Sequence, residues 1–164
     1  MISKTKFSAV LKWASLGLMF SIANMGVANA TEAETEHGHP QNAMALFLGA
    51  THAHGENEPT IGLELGRNLN DTWSVGGVIE QTDRGKETTL MLIGVGWHPH
   101  QRMRLQLAVG RKDPSGSHEN VMRTAITYEH ELGHHWFVKP YLAYDFIEHE
   151  EDEPVFGLYI GRLF

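Results

Sequence analysis

Eleven histidines are the most conspicuous chemical resource of this chain. Six fall in His-x-His pairs, His37/His39, His52/His54 and His98/His100, and His134 and His135 are adjacent. On extended backbone, residues i and i+2 point the same way, so each pair could present two imidazoles to one ion. His149 sits in Glu148-His-Glu-Glu-Asp-Glu153, a stretch dense in oxygen ligands. Ligands without fixed geometry accept Zn²⁺, Cu²⁺ or Ni²⁺ alike. The expectation is no resident cofactor, the plainer reading being that polar histidines populate wet turns, with weak divalent binding as the alternative.

A second set is charged. Glu64, Glu80, Arg104, Arg123, Glu129, Lys139 and Asp145 each interrupt an apolar stretch at an alternating position. Four acids and three bases on one face would have to neutralise one another if that face is enclosed. Nucleophiles are scarce: beyond residue 30 the only serines are Ser74, Ser115 and Ser117. No serine, base and orienting acid can be assembled from them, so no catalytic residue is assigned. There is no cysteine, which removes disulfides, thiolate chemistry and Cys-type zinc sites.

The elements that would hold these groups follow a leader. Lys4, Lys6 and Lys12 precede the apolar run Trp13–Ala23, and Ala28-Asn29-Ala30 supplies small residues for cleavage. Residues 1–30 thus read as a cleaved export signal, 31–41 as a flexible periplasmic segment, and 42–164 as one domain. All 20 acidic residues but only 10 of the 13 Lys and Arg lie beyond the leader, a formal charge of about −10. Such an acidic body argues against nucleic acid and anionic lipid as partners. Past the leader no run of about 18 apolar residues offers a membrane helix.

Residues 42–51, 60–68, 72–82, 88–98, 102–111, 120–130, 136–147 and 155–164 read as strands. Each has an apolar face and a face of glycine, alanine and occasional charge. In strand five, Met103, Leu105, Leu107 and Val109 oppose Arg104, Gln106, Ala108 and Gly110. A water-soluble barrel would carry dense charge on its outer face; a small membrane barrel needs small residues inside. Compact turns at Asn68–Asp71, His98–Gln101 and Glu131–His135 alternate with longer connections at Ala53–Pro59, Thr82–Glu87, Lys112–Glu119 and Glu148–Pro154. Trp73, Trp97, Tyr128, Trp136 and Phe164 fall at one set of strand ends, and Tyr144, Phe146 and Phe156 near the other, as bilayer interfaces select. The fold class expected is all-β: an eight-stranded antiparallel up-and-down transmembrane β-barrel with a plugged, polar and glycine-rich interior. The alternative is a soluble periplasmic barrel of lipocalin type.

On strand count, loop alternation and the final Phe164, residues 42–164 resemble the small eight-stranded outer-membrane proteins of the OmpA-barrel and OmpX kind. The resemblance implies residence in the bacterial outer membrane, contact with its lipid and lipopolysaccharide, and a monomer. It also implies Phe164 as an assembly signal read by the barrel-assembly machinery. Arg162 departs from the apolar residue usual two positions earlier. It further implies periplasmic termini, which would gather His37, His39, His98, His100, His134 and His135 at the periplasmic end and put His52, His54, His118 and His149 outside. The role expected is structural or surface interaction through short acidic loops, without enzymatic activity or general diffusion of solutes. The alternatives are a narrow transport or metal-handling barrel and a lipid A-modifying enzyme.

Overall fold

The computed structural model describes residues 42–83, 87–114, 118–133 and 135–164. The leader, the 31–41 segment with His37 and His39, and His134 lie outside the described residues. The strands are β1 (Asn42–Ala53), β2 (Glu56–Asn68), β3 (Trp73–Asp83), β4 (Glu87–His100), β5 (Met103–Pro114), β6 (Glu119–Tyr128), β7 (His130–Gly133), β8 (Trp136–Ile147) and β9 (Glu153–Leu163). Successive strands pair antiparallel from β1 to β6, β6 pairs with β8, β8 with β9, and β9 returns to β1. This closes the sheet, and among the described strands only the short β7, paired with β8 alone, keeps an open side.

Nine segments make eight staves, because β6 and β7 are one strand with a break. Thr127 opposes Tyr141 and His130 opposes Val138 in unchanged register, with Glu129 unpaired between them. Pro140 lies across from the break. It has no N–H to donate, so the ladder toward β6 and β7 lapses there while the ladder toward β9 runs on.

The strands run further than the alternation in sequence suggested. The expected long connection Ala53–Pro59 is a two-residue hairpin, His54-Gly55, with φ of 51° and 81°. Two consecutive positive φ values mark a turn whose twist matches that of the flanking strands, and the pairing continues through Ala53 opposite Glu56. Similar extensions carry β5 to Pro114 and start β9 at Glu153. The strict alternation of long and short connections expected from sequence is therefore lost. Between β2 and β3, Asn70 Oδ1 accepts the N–H groups of Thr72 and Trp73, each at 2.9 Å, which fixes the tight turn.

The two faces separate cleanly. Met91, Ile79, Leu63, Leu46, Ile160 and Val138 are consecutive partners on neighbouring strands and form one outward belt. All eight belt aromatics, from Trp73 to Phe164, are exposed on the outer surface. Inside, Phe47, Phe137, Val155 and Tyr159 are fully buried. Phe47 meets Tyr159 and Tyr141 at ring-centroid distances of 4.9 and 5.4 Å. That packing requires bare backbone beneath the ring, since a Cβ on Gly157 would stand 2.6 Å from Phe47 Cε2 and 2.5 Å from the Leu48 carbonyl oxygen. Gly157→Val is expected to destabilise the barrel by about 1–3 kcal/mol through overpacking, read as a lower urea midpoint; an unchanged midpoint would mean that Phe47 is not seated on this glycine.

Candidate functional site

The charged residues of the inner face meet across the lumen. Arg123 on β6 is 1% exposed, and its Nε and Nη2 take the two oxygens of Asp145 on β8 at 2.5 and 2.7 Å. Its Nη1 reaches Glu80 on β3 at 2.7 Å and the Tyr141 hydroxyl at 3.3 Å. β3 lies three staves from β6, so the Glu80 contact crosses the interior. A second bridge joins Arg104 on β5 to Glu64 on β2 at 2.5 Å, also three staves apart. Lys139 pairs with Glu129 at 3.0 Å across the interrupted β6–β8 ladder, with its ammonium 4.1 Å from the centre of the Phe137 ring. The fork geometry of arginine suits the double contact with Asp145.

A third cross-lumen bridge involves residues that sequence reasoning placed in loops. Lys112 Nζ on β5 stands 2.8 Å from Glu153 and 2.6 Å from Glu150. β9, which carries Glu153, is again three staves away. The signal was present: continuing the two-residue period past Gly110 puts Lys112 inward, and continuing it back from Val155 puts Glu153 inward. Between this bridge and Arg123, the hydroxyls of Thr51, Thr60 and Thr82 link at 2.9 and 3.0 Å. The polar cavity among Thr82, Lys112, Arg123 and Glu153 is about 10 Å³, roughly the room one water needs.

The histidines are arranged differently from the paired scheme. His98 points inward, its Nε2 2.9 Å from Ser74 Oγ, whereas His100 is exposed and its Nδ1 faces the Arg102 N–H. A register shift between Trp97 and His100 breaks the alternation that would have aligned them. His52 is on β1 with its Nδ1 2.8 Å from Asn57 Oδ1, but His54 is in the left-handed hairpin turn. The i, i+2 argument needs unbroken extended backbone, and neither pair has it. His135 and His149 also have positive φ, 70° and 75°, in turns. His118 contacts Asp113 at the opposite end of the barrel from Asn42 and Phe164. Among the described residues, no three His, Asp or Glu side chains are grouped to share an ion.

Phe164 is exposed on the outer surface, and its backbone pairs with Asn42 through bonds of 3.0 and 3.2 Å, completing the seam between β9 and β1. Arg162 is opposite Trp136 and Met44, in an outward row at the end where the termini lie.

No family model and no curated protein matches the sequence. Solved structures do. The N-terminal β-barrel domain of Pseudomonas aeruginosa OprF superposes with a TM-score of 0.52 at 15% identity, over 76% of this chain and 98% of that one. This is the fold of the small eight-stranded outer-membrane barrels. Ail, the attachment invasion locus protein of Yersinia pestis, solved in complex with the heparin analogue sucrose octasulfate, aligns at TM-score 0.50 and 12% identity over 76% of this chain and 97% of that one. A de novo designed transmembrane β-barrel gives 0.53 at 8% identity, over 79% and 99%.

Removing the cation from the Arg123 cluster leaves two buried carboxylates uncompensated. Arg123→Met is expected to cost about 3–5 kcal/mol of unfolding free energy, measured by urea titration of the refolded barrel, whereas Arg123→Met combined with Glu80→Leu and Asp145→Leu is expected to cost less. A triple variant weaker than the single one would contradict the assignment of these three residues to one dry cluster.

Proposed function

We propose that this chain is an integral barrel of the bacterial outer membrane with a structural or surface-interaction role and a closed interior. The observation that carries the reading is the inversion of polarity. Leucine, isoleucine and methionine form the outward belt while arginine, lysine and carboxylates are buried within. In water that arrangement exposes a continuous apolar surface far larger than a soluble monomer tolerates; in a bilayer the belt meets acyl chains. Three transverse ion bridges obstruct the lumen, which supports a role other than general diffusion. Barrels that conduct bulk solutes use about twice as many strands.

The reading includes no catalysis. The Ser74–His98 contact is the one serine–histidine pairing among the described residues, and Ser74 is only 3% exposed within the lumen, out of reach of a lipid substrate on the outer wall. The rim opposite Asn42 and Phe164 bears Glu148, Glu150, Glu151 and Asp152. This charge disfavours polyanions and suits partners that are neutral or basic, which separates the proposed surface role from heparin-type recognition.

Membrane fractionation with a heat-modifiability gel tests the placement: recovery in outer membranes and a mobility shift on boiling are expected, and a soluble periplasmic product would overturn it. Planar-bilayer recordings should show no large stable pore; steady conductance of porin size would contradict the closed interior.

A further inference from the structure

Toward the end of the barrel opposite Asn42 and Phe164, an open groove of about 680 Å³ interrupts the outer wall over β5, β6 and β8. Its construction follows from the register. Val109, Met122 and Phe146 are opposite one another and form an apolar row. Two residues nearer the rim, Arg111 is opposite Asn120, whose carbonyl accepts the Glu148 N–H at 3.1 Å, and these three form a polar row. Gly110, Val121 and Ile147 between the rows belong to the inner face, so the floor of the groove is strand backbone.

The polar row carries one charge of each sign on either side of its centre. Arg111 is exposed on β5, and its side chain has no ion pair or hydrogen bond among the described residues. Glu148 is exposed on β8, and Asn120 Nδ2 donates to its Oε2 alone, at 2.6 Å. The two charged residues are two strands apart, about 10 Å at ordinary strand spacing, with Asn120 midway between them. Asp113, the next outward residue of β5, is engaged by His118. A small ligand of either sign answers one of the two charges and meets the other. A surface that runs cation, amide, anion is instead its own complement. A bilayer keeps every copy upright, so the same patch on two copies can meet only about a two-fold axis along the membrane normal. Facing copies exchange left and right: with the axis through Asn120, Arg111 of each copy stands on the side of the other's Glu148. Strands in small barrels tilt by about 40°, which offsets the two charges in height by roughly 6 Å, a gap that an arginine and a glutamate side chain span together. The groove leaves room for those crossing side chains, where a smooth convex wall would touch its copy along a line only.

We propose that this wall docks a second copy of the chain in the plane of the membrane, with Arg111 of each copy paired to Glu148 of the other above the apolar row. The inference rests on the outer-membrane reading, which holds the copies parallel, and it departs from the monomer that the resemblance to OmpA-type barrels implies.

The test is energy transfer between donor- and acceptor-labelled full chains refolded in phosphatidylcholine vesicles, followed over a range of protein-to-lipid ratios. Wild-type transfer should exceed that of randomly placed barrels. Arg111→Glu and Glu148→Arg each set like charges across the axis and should weaken association about tenfold. Combining the two substitutions restores opposite charges and should bring association back to within about threefold of wild type. Arg162→Glu, the same charge change at the opposite end, should leave it unchanged. Wild-type transfer no higher than random, or a double variant as weak as the single ones, would overturn the assignment. Heat-modifiability of each sample separates the two levels. A wild-type chain that fails to shift on boiling sinks the membrane reading and this inference with it. A shifting barrel that stays monomeric sinks the inference alone.

Discussion

A guanidinium cannot be left by itself in a space lined by aromatic rings and glycines. Arg123 is therefore the residue around which the interior is organised. Its two carboxylate partners come from β3 and β8, so satisfying one cation fixes the relative height of three staves. Arg104 with Glu64 and Lys112 with Glu153 repeat the device at other positions, each spanning three staves. Hydrogen-bonded ladders fix neighbours; these bridges fix strands that are not neighbours. Register matters because a one-residue slip would exchange the two faces of a strand.

The glycines belong to the same constraint. With eight strands the lumen is narrow, and the bulky interior groups fit only where opposing positions carry no side chain. Phe47 packs on Gly157, and a Cβ on Gly62 would stand 2.7 Å from Glu80 Cγ. Small residues on the inner face thus make room for the rings and ion pairs, and the outer face is free to be apolar all round.

Much of this was legible in the chain. In β5 the period of two separated Leu105, Leu107 and Val109 from Arg104, Gln106, Ala108 and Gly110, and the structure keeps the two sets on opposite faces, whereas in β4 both faces carry large apolar side chains and the alternation alone did not separate them. Strand β8 was delimited to the residue, since Trp136 and Ile147 flank an unbroken alternation. What was not legible depended on tertiary partners. Strand ends were placed too early wherever charge began, so Lys112 and Glu153 were taken for loop residues although their carbon stems continue the inner face. The break between β6 and β7 is opposite Pro140 on the facing strand, and the shift between Trp97 and His100 is a change of register against β5; a linear alternation registers neither. The shift also separates His98 from His100, a pairing that sequence spacing alone supported. Which acid meets which base depends on stave order across the lumen, information that one strand does not contain.

The central claim is that the greasy belt faces hydrocarbon while the ionic row faces inward. Site-directed spin labelling along β5 in lipid vesicles tests it most directly, with molecular oxygen and a water-soluble nickel complex as relaxants. Labels at Leu105, Leu107 and Val109 should be accessible to oxygen and shielded from nickel, and labels at Gln106 and Ala108 shielded from oxygen, in strict alternation. Nickel access at Leu107 and Val109, or loss of the alternation, would contradict the account.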